Sequence, residues 1–426
     1  MNSRALRRIG FVTGALTTSA LVLAGCAGSG GGAATADPNE KVTLTIATFN
    51  DFGYTDELLA EYSKEHPNVT IVHNKAATSN DARANYFQKL GKTGLADIEG
   101  IEVDWLPEVM KYSDLLAPVP DDLKSRWLDW KVKAATDASG NLVGYGTDIG
   151  PEAICYRSDL FQAAGLPTEP ADVAAALEGD WSKYFEMGDK YVAATGKPFF
   201  DSASSVYQGM INQVEAAYEN PDTGEITATT NPEVKKIYTE TLDASKTQSA
   251  HLEQWQPDWY AGMANGAFAT LSCPGWMLTQ IEGNAPEVSG WKIADVFPNG
   301  GGNWGGSYLT VPANGPHVAE AQALADWLTS PEQQVKFFQQ AGTFPSQVDA
   351  LTSPDLLNAK NAFFNDAPIG EIFTNRANAV TVTPFKGQYY FQVNDAMSKA
   401  LLRVDQNTQD AQTSWDQWVS QVEAIG

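Results

Sequence analysis

Val42-Thr43-Leu44-Thr45-Ile46 alternates apolar and polar side chains with the period of two that a half-buried strand requires. Beyond it, Thr55 stands before Asp56-Glu57-Leu58-Leu59, and Leu58, Leu59 and Tyr62 share one helix face until Pro67 stops the run. A second strand over residues 69–72 comes at once. A helix with Ala82, Tyr86 and Leu90 on one side follows, then Gly94, then an apolar strand over 98–103. Strand, helix, strand, helix, strand predicts an open α/β sheet.

The pattern resumes past the middle of the chain. Residues 153–156 predict a strand and 158–164 a helix, ended by Gly165 and Pro167. Helices are expected over 181–194, 206–218 and 232–242, with Asp222-Thr223-Gly224 as the turn between the last two. A strand over 267–272, a short helix over 276–282 and a strand over 308–311 come next. Ser330 precedes Pro331, with Gln333 placed to reach back in a capping box. Residues 388–425 predict a mostly helical end, and no repeat of solenoid period is visible.

The beginning of the chain sets the compartment. Arg4, Arg7 and Arg8 precede an apolar stretch over 9–24, the order of a secretory signal. That stretch closes on Leu23-Ala24-Gly25-Cys26, which looks like a lipobox whose cysteine accepts a diacylglycerol. Residues 1–25 are therefore expected to be a signal peptide, and 26–40 the lipidated Cys26 with a Gly-rich flexible tether. Losing the three arginines takes the formal charge from −24 to −27, which excludes nucleic acid and leaves lipid anchoring as the only membrane contact. With 43% hydrophobic residues, the chain past the tether is long enough for two cores. Cys155 and Cys273 remain as an even pair in an oxidising compartment. One disulfide is permitted, and two buried free thiols are the alternative.

Motifs for catalysis are thin. Residues 300–305 satisfy GxGxxG, yet they lead into the strand expected over 308–311, where a dinucleotide site needs a helix. Asp405, Asn407 and Gln409 open a calcium-loop spacing, but Asp410 stands where the loop needs glycine. His66, His73, His251 and His317 are scattered, and no GxSxG elbow occurs. No metal and no cofactor are expected. A two-carboxylate glycosidase stays open, since 52 acidic residues supply many pairs. The conspicuous feature is aromatic: Trp105, Trp255, Trp259, Trp276, Trp304, Tyr389 and Tyr390 fall in segments that read as polar loops. Flat rings beside Asp, Glu, Asn and Gln suit pyranoses, which have apolar faces and hydroxyl rims.

From Val42 onward these segments resemble the extracellular solute-binding proteins of carbohydrate ABC importers, the maltose-binding-protein-like group. The resemblance is carried by Gly144-Tyr145-Gly146-Thr147-Asp148 with the run from Glu152 to Phe161, by Ser272-Cys273-Pro274-Gly275-Trp276, and by Trp304-Gly305-Gly306 before Leu309-Thr310-Val311-Pro312. Thr329-Ser330-Pro331-Glu332-Gln333 adds to it. It implies an α/β fold of two lobes, each built from discontinuous chain, with a hinge and a ligand cleft between them. Lobe 1 is then expected at 41–149 plus 307–345, and lobe 2 at 150–306 plus 346–426.

By the same resemblance Trp276 is the platform for a sugar ring, with Trp105 and Trp304 as further aromatics and Tyr389 and Tyr390 as a late aromatic pair. Asp148 and Glu152 at the first crossover, Asn50 and Asp51 after the first strand, Glu102 and Asp104 after the third, and Asp201 are the implied polar contacts. Both cysteines fall on or at the end of strands assigned to one lobe near the hinge, and so a Cys155–Cys273 disulfide is expected. The implied function is capture of an oligosaccharide, cello-oligosaccharide first and xylo-oligosaccharide second, and its delivery by hinge closure to the transmembrane subunits of an ABC permease. The implied protein is a monomer, lipid-anchored on the outer face of the cell membrane, and not an enzyme. A secreted glycoside hydrolase and a surface carbohydrate-binding adhesin are the competing functions.

Overall fold

Val42, Leu44 and Ile46 are buried, as their alternation demands, and the strand they begin lies second in the sheet of the first lobe. The computed structural model describes residues 41–425; the signal segment, Cys26 and the tether lie outside the described residues. The strands are β1 Val42–Phe49, β2 Val69–Ala76, β3 Ile98–Glu102, β4 Tyr145–Gly146, β5 Asp148–Ile149, β6 Glu152–Arg157, β7 Thr270–Pro274, β8 Trp291–Ala294, β9 Ser307–Thr310 and β10 Phe344–Pro345.

The first sheet runs β2-β1-β3-β9-β4. Its first three strands are parallel, joined by the helices Asp56–Glu65 and Ser79–Lys89, while β9 returns antiparallel from far along the chain. Thr55 caps its helix as expected, accepting from the Leu58 amide at 3.2 Å, and Leu58, Leu59 and Tyr62 are buried against the sheet. The second sheet is antiparallel, β7-β6-β8, and is covered on both faces: Ile154 and Tyr156 enter one core, Ala153 and Cys155 another. Cys155 and Cys273 lie diagonally across β6 and β7 on that second face and are joined as a disulfide, with Cα atoms 5.5 Å apart.

The two lobes meet where the chain crosses. β5 pairs with β10, Trp304 donates its amide to the Gly150 carbonyl at 2.8 Å, and a Cβ on Gly150 would lie 1.8 Å from the Trp304 carbonyl oxygen. Only glycine admits that backbone approach. The helix Pro331–Ala341 serves both sides of the crossing: Phe337 joins the core of the first lobe, while Val335 and Phe338 pack with Cys155, Trp259 and Phe344.

Three local expectations give way. Ser330 makes no side-chain cap, and Gln333 turns inward, 4% exposed, without reaching back; its neighbour Gln334 ties the Gly146 carbonyl to the Ser346 and Gln347 amides. The helix expected over 206–218 is Ala203–Ile211, since the carbonyls of Ala216 and Ala217 accept from the Asn231 amide group and do not continue a helical ladder. Trp259 is no loop residue: it is fully buried in the helix Pro257–Asn265. Two rejected motifs have structural duties. Residues 300–305 lead into β9, and Asp405 accepts from the Ala203 amide, the Ser249 hydroxyl and His251 Nδ1, while Asp410 caps the helix Ala411–Glu423.

Candidate functional site

The cleft between the lobes encloses about 560 Å³ and draws its walls from both lobes and the crossing segments. The first lobe supplies the loop after β1, with Asn50 and Asp51; the start of the helix Ser79–Lys89; and Glu102 and Asp104 at the end of β3. These are the carboxyl ends of parallel strands, where an open sheet leaves its ligand contacts. The crossing supplies Asp148, residues 304–307 and Thr343.

The tryptophans come from the second lobe and the crossing. Pro274 ends β7, and Gly275 lies so close to Gly342 that a Cβ would come within 2.3 Å of the Gly342 carbonyl oxygen. That contact sets Trp276 at the cleft beside Thr343, with its Nε1 donating to the Trp304 carbonyl at 3.2 Å. Trp304 packs edge-on against it at 5.1 Å between ring centroids, and Trp255 lies nearly parallel to it at 5.9 Å. All three indoles are half-buried. Trp255 holds a left-handed φ of 69°, a strained state for a large side chain. Its loop is held from behind by Asp201, which accepts from Gln254 Nε2 at 3.0 Å and Trp259 Nε1 at 2.7 Å.

The polar wall is acidic and partly desolvated. Burial, then the neighbouring Asp104 charge, hold the Glu102 carboxyl well above the usual carboxylate range. Asp148 is raised by burial against the pull of Lys131, and its Oδ1 accepts from the Ser307 amide at 2.9 Å and the Thr147 hydroxyl at 2.8 Å. Lys131 lies behind this wall, pushed down to about 7 by burial, with Nζ 2.8 Å from the Ser307 carbonyl and 3.7 Å from the centre of the Tyr308 ring. The arrangement offers acceptors to hydroxyls on one side and flat apolar rings on the other.

Of the residues singled out from the sequence, Asn50, Asp51, Glu102, Asp104, Asp148, Trp276 and Trp304 are brought together here. The others lie elsewhere. Trp105 is 1% exposed, packed on Tyr86 and Phe87 with Nε1 donating to Ser79. Glu152 is fully buried at the start of β6, accepting from the Ser272 hydroxyl at 2.5 Å and pushed up to about 8 by burial. Asp201 is fully buried behind the Trp255 loop. Tyr390 sits in the core of the second lobe, and Tyr389 gives its amide to Glu219 at 2.9 Å outside the cleft lining.

Several groups of lining residues were missed, among them residues 78–81 at the start of the helix Ser79–Lys89, and Ser204, Gln208 and Gln280. Trp255, noted from the sequence among the loop aromatics, does line the cleft, but its neighbours Glu253, Gln254 and Gln256 were not singled out. Phe391, Asn394, Asp395, Ser398, Lys399 and Leu402 recur at three and four residues along the helix Tyr390–Asp405, so one face of it lines the cleft. From sequence alone that mixed polar face looks solvated.

A family model described as bacterial extracellular solute-binding protein matches residues 57–365. A crystal structure of an extracellular solute-binding protein of family 1 is 44% identical over 90% of this chain and 99% of that one, with a TM-score of 0.80. The ABC-transporter-associated binding protein of B. animalis subsp. lactis Bl-04, in complex with β-1,6-galactobiose, shares 19% identity over 90% of this chain and 96% of its own, with a TM-score of 0.75. The galacto-N-biose/lacto-N-biose I-binding protein of Bifidobacterium longum shares 20% over 91% and 99%, with a TM-score of 0.68. At such identity these last two speak for the fold alone. No curated protein matches the chain. A match over most of the sequence, a relative aligned almost end to end and a cleft between two α/β lobes converge: the chain belongs to the bacterial extracellular solute-binding proteins.

Proposed function

We propose that this protein captures an oligosaccharide in the interlobe cleft and delivers it, by hinge closure, to the permease of an ABC importer. The observation that carries the reading is the cluster of Trp255, Trp276 and Trp304 facing a wall of carboxylates and amides. Apolar ring faces of a sugar cover the indoles, and its hydroxyls donate to Asp51, Glu102 and Asp148. A cleft of about 560 Å³ falls within the roughly 300–1,000 Å³ of small-molecule sites. Two proteins of the same fold carry β-1,6-galactobiose and lacto-N-biose, which supports a saccharide without choosing one. Cello-oligosaccharides remain the first expectation and xylo-oligosaccharides the second.

The lobes in this reading are 41–149 plus 307–345 and 150–306 plus 346–426, with the helix Pro331–Ala341 shared at the crossing. Cys26 carries the lipid that holds the monomer at the outer face of the membrane, which the mass of the N-terminal peptide from membrane-bound protein tests.

A thermal-shift panel of cello-, xylo- and β-galacto-oligosaccharides, followed by calorimetric titration of the best member, tests the function. Ligand at about 100 times its dissociation constant adds about 2.7 kcal/mol of stability, a shift easily read in melting temperature. The same sugars recovered intact after prolonged incubation fit a binding protein, and cleaved sugars would move the protein to the glycosidases. A panel without any shift, extended to amino acids and peptides that do shift the protein, would overturn the saccharide.

A further inference from the structure

Residues 380–389 form neither helix nor strand, yet they are fastened to the second lobe on both sides of Lys386. The Phe385 amide donates to the Glu215 carbonyl at 2.7 Å, and the Tyr389 amide donates to the Glu219 carboxylate at 2.9 Å. From this base the Lys386 ammonium crosses to Asp104 at the end of β3, in the first lobe, and forms an ion pair with its carboxylate. The two side chains are only 8% and 15% exposed. Beside this pair, Arg83 of the first lobe covers the Phe391 ring at 4.3 Å, and Lys111 of the first lobe faces the Tyr389 ring at 5.2 Å. Arg83 is itself oriented by Glu108, which takes its Nε at 3.1 Å and its Nη2 at 2.5 Å. Tyr390 belongs to the core of the second lobe, while Phe391, the next residue, packs against the core of the first.

We propose that Lys386 clasps the two lobes across the cleft through Asp104, with Arg83–Phe391 and Lys111–Tyr389 beside it, so that the closed form is a populated state of the protein without sugar. The physical ground is the cost of separation. Opening separates the ion pair and strips two cations from aromatic faces, contacts that involve no ligand atom, while rehydration of Lys386 and Asp104 offsets part of that cost. A sugar then needs to supply only part of the differential affinity that closure requires. Asp104 accordingly acts first as the clasp's receptor and only second as a cleft wall. The inference rests on the hinge closure proposed above, but not on the identity of the ligand.

The test uses sugar-free protein, so that a failed saccharide panel and a failed clasp are separate outcomes. Spin labels at Lys64→Cys and Lys190→Cys, exposed positions on the helices Asp56–Glu65 and Trp181–Thr195 of opposite lobes, report the interlobe distance by pulsed dipolar spectroscopy. The expected wild-type distribution contains a short, closed component. Lys386→Met and Asp104→Asn each lower its ratio to the open component about tenfold, and the double variant falls no further than either single one. Lys386→Arg, which keeps the charge, stays within about twofold of wild type. Should Lys386→Met fail to fold, Asp104→Asn decides by the same threshold. A wild-type distribution without the closed component, single variants that leave it unchanged, or a double variant whose loss is the product of the two would each overturn the clasp.

Discussion

Trp276 is placed by backbone, not by a hydrophobic period. The end of β7 at Pro274 and the contact of Gly275 with Gly342 throw its indole to the cleft. Covering a sugar face with such an anchor makes its loss cost about 2 kcal/mol or more, roughly a thirtyfold fall in affinity. Trp276→Ala is therefore expected to weaken binding of the best sugar by at least that factor. Because Trp276 also packs on Trp255 and Trp304, the variant should melt lower as well. Calorimetric titration and a melting curve on one preparation separate the two effects, and affinity within about threefold of wild type would remove the stacking role. The neighbouring tryptophans show how far single residues could be read. Trp276 and Trp304 sit beside Pro and Gly that announce a loop, whereas Trp105 sits beside equally loop-like Asp104 and is buried in the lobe core. Nothing in its sequence neighbours discloses that the Ser79 hydroxyl accepts a hydrogen bond from its indole N–H.

At the scale of elements, legibility follows length and the number of faces a segment must satisfy. β1 has one polar face and one apolar face, and its alternation was plain; the helix after it declared itself by the Thr55 cap. β4, β5 and β10 are two residues each, too short for any period, although β5 and β10 form the crossing on which the cleft depends. The helix Tyr390–Asp405 was expected as a helix, but its role in the site was hidden. Buried residues such as Val393, Met397 and Leu401 mark the face toward the second core, and the opposite face carries Asn394, Ser398 and Lys399 to the cleft. A face wetted by a ligand pocket and a face wetted by bulk solvent have the same composition.

The whole molecule carries an acidic excess, and six of its carboxyls, Glu102 and Asp148 at the cleft among them, are buried in places that favour the proton. Burial pushes Glu152 from its ordinary 4.5 to about 8, Glu99 and Glu219 to about 7, and Asp201 from 3.8 to about 6. Each folded value lies above the ordinary one, so between the two the folded chain holds more protons than the unfolded chain. The stability from these groups is full below the ordinary values and is lost as pH rises through the folded ones. Repulsion within a chain of net charge −24 acts in the same direction. His73, lowered mainly by burial, opposes them only below its ordinary 6.5, and Lys131, pushed down to about 7, opposes them only above that pH. The melting temperature is thus expected to fall by about 2 °C or more between pH about 5 and pH about 8. Calorimetry across that range checks the sign, and a protein that melts higher at pH about 8 would contradict it. Glu152→Gln, which keeps an acceptor for Ser272, should flatten part of the slope.

The bond between Cys155 and Cys273 closes a loop of sequence separation 118, and the exposed turn at Asp222, Thr223 and Gly224 lies inside it. Outside a cell, such turns are where proteases cut. A chain nicked there would stay one covalent molecule, because each fragment keeps one of the two cysteines, and the sheet β7-β6-β8 would keep its strands in register. Limited proteolysis should accordingly yield one band on a non-reducing gel and two once a thiol is added, with sugar binding surviving the cut. Two bands without thiol would mean that the sulfurs are not bonded. Resistance to scission, besides resistance to heat, is what that cross-link gives a binding protein that works in the open.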